Sequence, residues 1–300
     1  MNSILSQALV LHHSALLSAN QPNLSSVVLL HGLLGSARNF NSFARLLHQK
    51  LDFAYNIIAV DLPLHGRSYA LGNAPSELLN YSSLASDVHH TLDYLGIEKA
   101  HVVGHSMGGK VAAIMALSQP PRVQSLAVLD ISPVRYEPQD FAMVSSLIQR
   151  LHSLDIESKK IADRAAAEKL LREAAGDTPE LLPFLLSNLQ PSSSSADCYV
   201  WKFDLNTISA SLETLLDFPA PLPSRNTDAY NGSLLLLKAS KSAFVLSKHM
   251  SDIQAIFPNY SIVSVKDCGH WIHAEKPLEA SEILSSYIKL MDKNNLQSPQ

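Results

Sequence analysis

The strongest constraint on the fold is an alternation of short apolar runs with longer helical patterns in the first half of the chain. Each run is rich in Val, Ile and Leu and is bounded by Gly, Pro or Asp; the runs are residues 27–31, 57–61, 101–105 and 126–130. Continuous apolar runs of this length are typical of strands buried on both faces of a parallel sheet. Helical patterns lie between them, over residues 41–51, 82–95 and 110–118. The alternation therefore predicts an α/β fold with a mostly parallel sheet flanked by helices.

The middle of the chain has a different pattern. Residues 133–229 contain no clear strand run, and their apolar side chains from Phe141 to Leu151 fall at helical spacing. Later in the chain, strand-like runs cover residues 234–237 and 261–265, a helical pattern covers 278–291, and a polar tail that we expect to fray begins at 292. We predict a core formed by residues 1–132 and 230–300, interrupted by a helical lid over residues 133–229.

Composition excludes several classes of protein. The 300 residues carry 23 Lys and Arg against 27 Asp and Glu, without the basic stripe that a nucleic-acid-binding protein needs. No apolar stretch approaches the ~18 residues required to cross a bilayer. Two cysteines cannot form a disulfide framework, and neither H-E-x-x-H nor clustered Cys/His spacing indicates a metal. A basic targeting segment would require Lys or Arg near the amino terminus, but none precedes Arg38. We expect a soluble, cytoplasmic protein with no metal and no membrane span.

The sharpest local feature is the segment Gly-His-Ser-Met-Gly-Gly at residues 104–109, between a predicted strand and a predicted helix. A serine on such a tight strand-to-helix turn has a strained backbone that exposes its hydroxyl above the sheet. The residues two positions away must be small because strand and helix approach closely there, and Gly104 and Gly108 meet this need. The segment predicts a nucleophile elbow with Ser106 as the nucleophile.

A serine nucleophile needs a general base and hydrogen-bond donors for the oxyanion. The candidate base is His270, which follows the last strand run and precedes the last helix, as the chain order serine, acid, histidine of this type of site requires. The segment His31-Gly32-Leu33-Leu34-Gly35 ends the first strand, and its glycines let the backbone turn toward the serine. We predict that the backbone N–H groups of Leu33 and Met107 form the oxyanion hole, with His31 and Gly32 supporting the turn.

The acid that orients His270 is harder to predict. Residues 229–251, which include the first strand-like run after the middle segment, contain no Asp or Glu. Asp130 directly ends the fourth apolar run and preserves the order serine, acid, histidine. We expect its strand to neighbour the strand that leads to His270, and we predict Asp130 as the acid. Asp204, in the middle segment, is the alternative.

Four motifs in this order, HGLLGS, D-x-P-x-HGRS, GHSMGGK and GHWIHAEKP, resemble those of the α/β-hydrolase superfamily. They are most similar to a group of serine esterases that includes bacterial ybfF-type esterases and the eukaryotic abhydrolase domain-containing protein 11. The resemblance implies a sheet of about eight strands with a helical lid. It also implies ester or thioester hydrolysis without a cofactor, and its motifs carry over to Leu33, Ser106, Met107 and His270. Members of this group carry Asp in the same D-I-x-P context as Asp130.

Two other functions remain open from the sequence. Some eukaryotic relatives are acyltransferases that form esters from acyl-CoA and alcohols, and a dry pocket would favour that reaction. The fold could also serve as a small-ligand-binding module without catalysis. Dehalogenases and epoxide hydrolases with this fold use an Asp nucleophile, whereas this chain has Ser106 at that position. The expected partner is a small acyl ester or thioester; acyl-chain length and oligomeric state are left open.

Overall fold

The computed structural model of this protein describes residues 10–17, 24–70, 78–156, 161, 163–176, 178, 181–192, 198–219 and 230–297. Nine strands are found within these ranges: β1 His13–Leu16, β2 Ser26–Leu30, β3 Asn56–Val60, β4 Ala100–His105, β5 Val123–Leu129, β6 Leu189–Pro191, β7 Tyr199–Trp201, β8 Leu234–Ala239 and β9 Tyr260–Val265.

Twelve α-helices lie in the same ranges: α1 Asn41–Lys50, α2 Gly66–Ala70, α3 Tyr81–Tyr94, α4 Met107–Ser118, α5 Ala142–Leu154, α6 Arg164–Ala175, α7 Leu181–Ser187, α8 Leu205–Ala210, α9 Leu212–Leu216, α10 Met250–Ile256, α11 Ile272–Glu275 and α12 Pro277–Gln297. Short 3₁₀ helices cover Ala37–Phe40, Pro120–Arg122, Pro138–Phe141 and Ser247–His249.

The main sheet has seven strands in the order β1-β3-β2-β4-β5-β8-β9. β1 pairs antiparallel with β3, and every other neighbouring pair is parallel. The predicted mostly parallel α/β sheet is therefore confirmed. About eight strands were expected, and seven form this sheet in the described part of the chain. β1 had no sequence signal because this four-residue edge strand has no buried position.

The central strands are buried on both faces, which explains their continuous apolar sequences. In β2, Val28 and Leu30 pack into the core that includes α3 and α4, whereas Val27 and Leu29 pack into the core with α1 and α12. Because successive side chains of a strand point to opposite faces, both faces of the sheet need apolar residues here. The sheet therefore forms the rigid middle layer from which the loops at its carboxyl edge project.

The segment between β5 and β8 is mainly helical, as predicted, but it also contains a small antiparallel sheet. β6 and β7 pair over three residues each. Strands this short give no readable periodicity, which is why the sequence did not indicate them. The predicted end of the lid, residue 229, lies outside the described residues.

The last helix is longer than the sequence predicted. α12 continues to Gln297 instead of ending near residue 291. Asp292, where fraying was expected to begin, accepts hydrogen bonds from Tyr55 and Gln124, and its Oδ1 lies 3.1 Å from Nε2 of His101. These contacts with the sheet hold the carboxyl-terminal turns of the helix in place.

Candidate active site

Ser106 lies at a sharp turn between β4 and α4. Its backbone has φ +52° and ψ −123°, a strained conformation for a residue with a side chain. A Cβ atom on Gly104 would overlap the carbonyl of Gly108, and one on Gly108 would overlap the carbonyl of Leu30. The two glycines therefore allow strand and helix to approach, as the motif predicted. α4 begins directly after the serine, at Met107, three residues before the predicted start.

Ser106 and His270 both line a cavity of about 620 Å³. The same cavity is lined by Leu33, Met107, His31 and Gly32 from the predicted oxyanion region. Its remaining wall is largely apolar and comes from both the sheet loops and the middle segment: Ile131, Phe141, Val144, Leu147, Ile148, Leu181, Phe184, Leu215, Phe244 and Trp271. An apolar cavity with a few convergent polar groups is typical of a small-molecule site.

His270 is paired with Asp130. The Nδ1 atom of His270 lies 2.8 Å from Oδ2 of Asp130, whose side chain is fully buried. The other carboxylate oxygen accepts a hydrogen bond from the backbone N–H of Ala239 at 2.9 Å. The ring of Phe244 packs on the imidazole with 4.3 Å between ring centroids. The buried carboxylate thus fixes one imidazole nitrogen as a donor and leaves Nε2 for another partner.

The route by which Asp130 reaches His270 differs from the expectation. Its strand, β5, does not neighbour β9, the strand that leads to His270, because β8 lies between them. The loop after β9 crosses the end of β8, where Lys241 donates a backbone hydrogen bond to the carbonyl of Cys268. The alternative acid, Asp204, caps α8 by accepting hydrogen bonds from the backbone and hydroxyl of Thr207.

The His270 loop is held by two residues that the sequence reasoning did not assign to the site. The carboxylate of Glu275 accepts hydrogen bonds from the backbone N–H groups of Gly269 at 2.7 Å and Trp271 at 3.2 Å. The Nε2 atom of His105, next to Ser106, donates to the carbonyl of His270 at 2.9 Å. The available signal for Glu275 was its place in the motif GHWIHAEKP, five residues after the histidine.

The predicted oxyanion region packs directly against Ser106. A Cβ atom on Gly32 would lie 2.9 Å from Nδ1 of His105 and 3.1 Å from Cβ of Ser106, so only glycine fits. A tight turn closes with a hydrogen bond from Gly35 N–H to the Gly32 carbonyl at 3.0 Å. Within the described residues, the N–H of Leu33 has no acceptor. The N–H of Met107 has no hydrogen-bond acceptor within the helix, because Met107 is the first residue of α4.

Lys110, one turn after Ser106, is a buried lysine at the cavity wall. Its ammonium lies 4.4 Å from the ring centroid of Tyr136 and donates to the carbonyls of Leu216 and Asp217 at 3.3 Å. Burial lowers the pKa of Lys110 to about 7, while the Asp217 carboxylate acts in the opposite direction. This side chain connects the elbow helix to the end of α9 in the middle segment.

The part of the chain that the structure describes contains no group of three or more His, Cys, Asp or Glu side chains arranged to hold a metal ion. None of its helices is both long enough and apolar enough to cross a membrane.

The strand order, the elbow and the histidine–carboxylate pair are features of hydrolases built on a parallel sheet. The family model described as "alpha/beta hydrolase fold" matches residues 25–277, and the chain belongs to this family. It is 36% identical over 265 residues to the sn-1-specific diacylglycerol lipase ABHD11 of Danio rerio, covering 88% of this chain and 78% of that protein. It is 28% identical over 269 residues to the esterase YbfF of Escherichia coli, covering 90% and 95%.

Among solved structures, a marine microorganism esterase superposes with a TM-score of 0.80 and 26% identity, covering 93% of this chain and 99% of that one. The expected resemblance to the esterase group of α/β-hydrolases is confirmed by these relatives, as is the expectation of an enzyme of the carboxylic-ester hydrolase class.

Proposed function

We propose that this protein hydrolyses carboxylic esters or thioesters through a covalent acyl-enzyme, with Ser106, His270 and Asp130 as the catalytic triad. The observation that carries the proposal is the 2.8 Å contact of His270 with the buried Asp130. His270 also lines the same cavity as the strained Ser106. A carboxylate on Nδ1 fixes the tautomer in which Nε2 accepts a proton, and it stabilises the imidazolium that follows.

The proposed reaction has two halves. The Ser106 hydroxyl attacks the acyl carbon while its proton moves to Nε2 of His270, and the carbonyl oxygen becomes an oxyanion that accepts the N–H groups of Leu33 and Met107. Collapse of this intermediate expels the alcohol or thiol, which takes the proton from His270. Water then attacks the acyl-enzyme with the same base, releasing the carboxylic acid and restoring the serine hydroxyl.

The substrate of the proposed reaction has an apolar acyl group. Helices α5 and α7 contribute Val144, Leu147, Ile148 and Phe184 to the cavity wall, so the middle segment covers the space in which the acyl chain would lie. We therefore propose residues 133–229 as a lid that selects the acyl group, on a core of residues 1–132 and 230–300. Because the Danio rerio relative is named a diacylglycerol lipase, acylglycerols belong in the substrate panel.

The test is hydrolysis of p-nitrophenyl esters from acetate to palmitate, together with acyl-CoA thioesters and a diacylglycerol, by the wild type and Ser106→Ala. Loss of the nucleophile in related triads costs roughly 10⁶ in kcat, so Ser106→Ala should lose both turnover and labelling by a fluorophosphonate probe. Ser118→Ala, at the other end of α4, is the matched control and should retain both.

Three outcomes would change the proposal. Retention of more than a few per cent of activity by purified Ser106→Ala would overturn the covalent mechanism. Product esters that form preferentially when an alcohol is added would favour acyl transfer over hydrolysis. A folded wild type that binds acyl esters but neither turns over nor labels would favour a binding module.

A further inference from the structure

Two loops at the carboxyl edge of the sheet each place a histidine on the backbone of the other. We call residues 31–36 the oxyanion loop and residues 61–65, which lie between β3 and α2, the adjacent loop. His31, in the oxyanion loop, accepts the backbone N–H of Leu62 on Nε2 at 2.9 Å. His65, in the adjacent loop, accepts the backbone N–H of Leu34 on Nε2 at 3.1 Å. The exchange is reciprocal, and both histidines are buried.

The hydrogen bonds define the protonation state of both rings. A backbone N–H can only donate, so Nε2 of each histidine carries a lone pair and no proton. The Nδ1 atom of His31 donates to the carbonyl of Gly32 at 2.8 Å, and that of His65 donates to the carbonyl of Pro63 at 2.8 Å. Both rings are therefore neutral with the proton on Nδ1. Burial lowers the pKa of both histidines, to about 3 for His65, which keeps them in this state.

These contacts orient two successive peptide groups of the oxyanion loop. The Gly32 carbonyl belongs to the same peptide as the Leu33 N–H, and in a trans peptide the two groups point in opposite directions. His31 holds that carbonyl, so the Leu33 N–H is directed away from His31. His65 holds the N–H of the next peptide, between Leu33 and Leu34. The peptide that contains the Leu33 N–H is thus fixed at one end by His31 and at the other by the neighbouring peptide.

The oxyanion loop needs such support because its backbone is strained. Leu34 has φ +60°, in the left-handed region that a leucine rarely adopts. Conformations of this kind cost of order 1–3 kcal/mol and persist only when their surroundings hold them. The hydrogen bond from Leu34 to His65 is such a contact. A second one comes from Asp61, whose Oδ1 accepts the N–H of Ala37 just after the loop at 2.6 Å.

His65 is itself held from the middle segment. It forms an isolated antiparallel bridge with Phe203, and the N–H of Asp204 donates to the carbonyl of Leu64 at 3.0 Å. His65 is fully buried and is not among the residues that line the cavity. Any effect of His65 on the reaction therefore cannot come from contact with substrate.

We propose that His65 is a positioning residue for the oxyanion hole, acting through the Leu34 N–H to direct the Leu33 N–H at the oxyanion. The inference rests on the proposed function, because an oxyanion hole matters only if Ser106 forms a tetrahedral intermediate. It assigns to the adjacent loop a part in the proposed catalysis.

The test compares two variants that differ in where they place an acceptor. In His65→Gln the side-chain oxygen can reach the position of Nε2, whereas in His65→Asn it reaches only the position of Nδ1 and leaves the Leu34 N–H without an acceptor. His89→Asn, at a buried histidine of α3, is the control for a change of the same size. The measurements are kcat and KM for a p-nitrophenyl ester and the Ki of an arylboronic acid, which forms a tetrahedral adduct with the serine.

Loss of a whole oxyanion donor costs about 10²–10³ in kcat, so a misdirected donor should cost somewhat less. We expect kcat of His65→Asn to fall by about 10- to 100-fold, with KM nearly unchanged and boronic-acid affinity reduced by a similar factor. His65→Gln should stay within a few-fold of the wild type, and His89→Asn should keep the wild-type kcat and Ki. Equal kcat and equal Ki for the Gln and Asn variants would overturn the inference.

A measurement on the wild type keeps the test decisive if His65→Asn does not fold. Nitrogen NMR of His65 should show a neutral ring with an unprotonated Nε2 from pH 5 to 8, and the Leu34 amide should exchange slowly with solvent. A ring that carries its proton on Nε2, or that titrates in this range, would overturn the inference. Failure of the wild type to hydrolyse any ester or to label would instead overturn the proposed function, and this inference with it.

Discussion

The carboxylate of Asp130 meets the imidazole of His270 across the end of an intervening strand, with 2.8 Å between Oδ2 and Nδ1, although the two residues are 140 positions apart in the chain. Its other oxygen is held by the backbone of Ala239, at the end of that strand. The buried carboxylate therefore has a hydrogen-bond donor on each oxygen. This arrangement fixes the carboxylate although Asp130 follows β5 and not the strand next to β9.

Asp130→Asn should reduce kcat by about 10³–10⁴, because the acid-to-amide change in other triads leaves the histidine in the wrong tautomer. Asp204→Asn should have a much smaller effect, since Asp204 caps α8. The check is steady-state kinetics on both purified variants, with circular dichroism to establish that each is folded. A larger loss in Asp204→Asn than in Asp130→Asn would reverse the assignment of the acid.

Glu275→Gln should lower kcat by about 10-fold. A hydrogen bond from a backbone N–H to a charged acceptor contributes roughly 1.5–3 kcal/mol, and the side-chain amide of the exposed glutamine keeps only part of this contribution. The carboxylate holds the N–H groups on both sides of His270, so its loss should loosen the imidazole. Glu279→Gln, an exposed position in the first turn of α12, is the matched control. An unchanged kcat in Glu275→Gln would show that Asp130 and His105 suffice to place the loop.

The protein should lose stability as the pH falls from about 7 to 5. Burial lowers the pKa of His65 and His273 to about 3 and places that of His105 well below its usual value. In this range the unfolded chain binds protons that the folded chain does not. The free energy of unfolding therefore decreases as the pH decreases, by up to about 1.4 kcal/mol per pH unit for each such histidine.

Urea denaturation at pH 7.5, 6.0 and 5.0 measures this acid sensitivity. His273→Gln removes one buried histidine and should give a shallower dependence than the wild type, whereas His152→Gln, at an exposed position of α5, serves as the control. A free energy of unfolding that is constant between pH 7.5 and 5.0 would contradict burial of neutral histidines.

Lys110→Met should change stability in a pH-dependent way. Because burial lowers the pKa of Lys110 to about 7, the folded chain loses this proton well before the unfolded chain does as the pH rises. The stability of the wild type therefore increases as the pH rises above 7, because the folded chain no longer buries a charged Lys110. The gain of Lys110→Met over the wild type should be largest at pH 6 and smaller at pH 9. Thermal unfolding at both values checks this, with Lys169→Met, on the exposed side of α6, as the control. An equal difference at the two pH values would contradict a lowered pKa.

Several features of this protein can be read from its sequence because each depends on nearby residues. Strands buried on both faces require continuous apolar runs, and a close strand-to-helix approach requires glycine on both sides of Ser106. The parallel sheet and the family follow from these local signals. The roles of Ser106, His270 and Asp130 stay predictions that the kinetics will test.

Other features exist only in the folded chain. Strand order decides which carboxylate lies beside His270, and the sequence placed β5 next to β9 because nothing local indicates that β8 lies between them. The edge strand β1 and the short pair β6 and β7 lack periodicity because they bury few side chains. The reciprocal hydrogen bonds that His31 and His65 make between two loops are likewise not indicated by the sequence pattern. Each histidine's partner is a backbone N–H, which every residue except proline carries, so only the tertiary structure selects it.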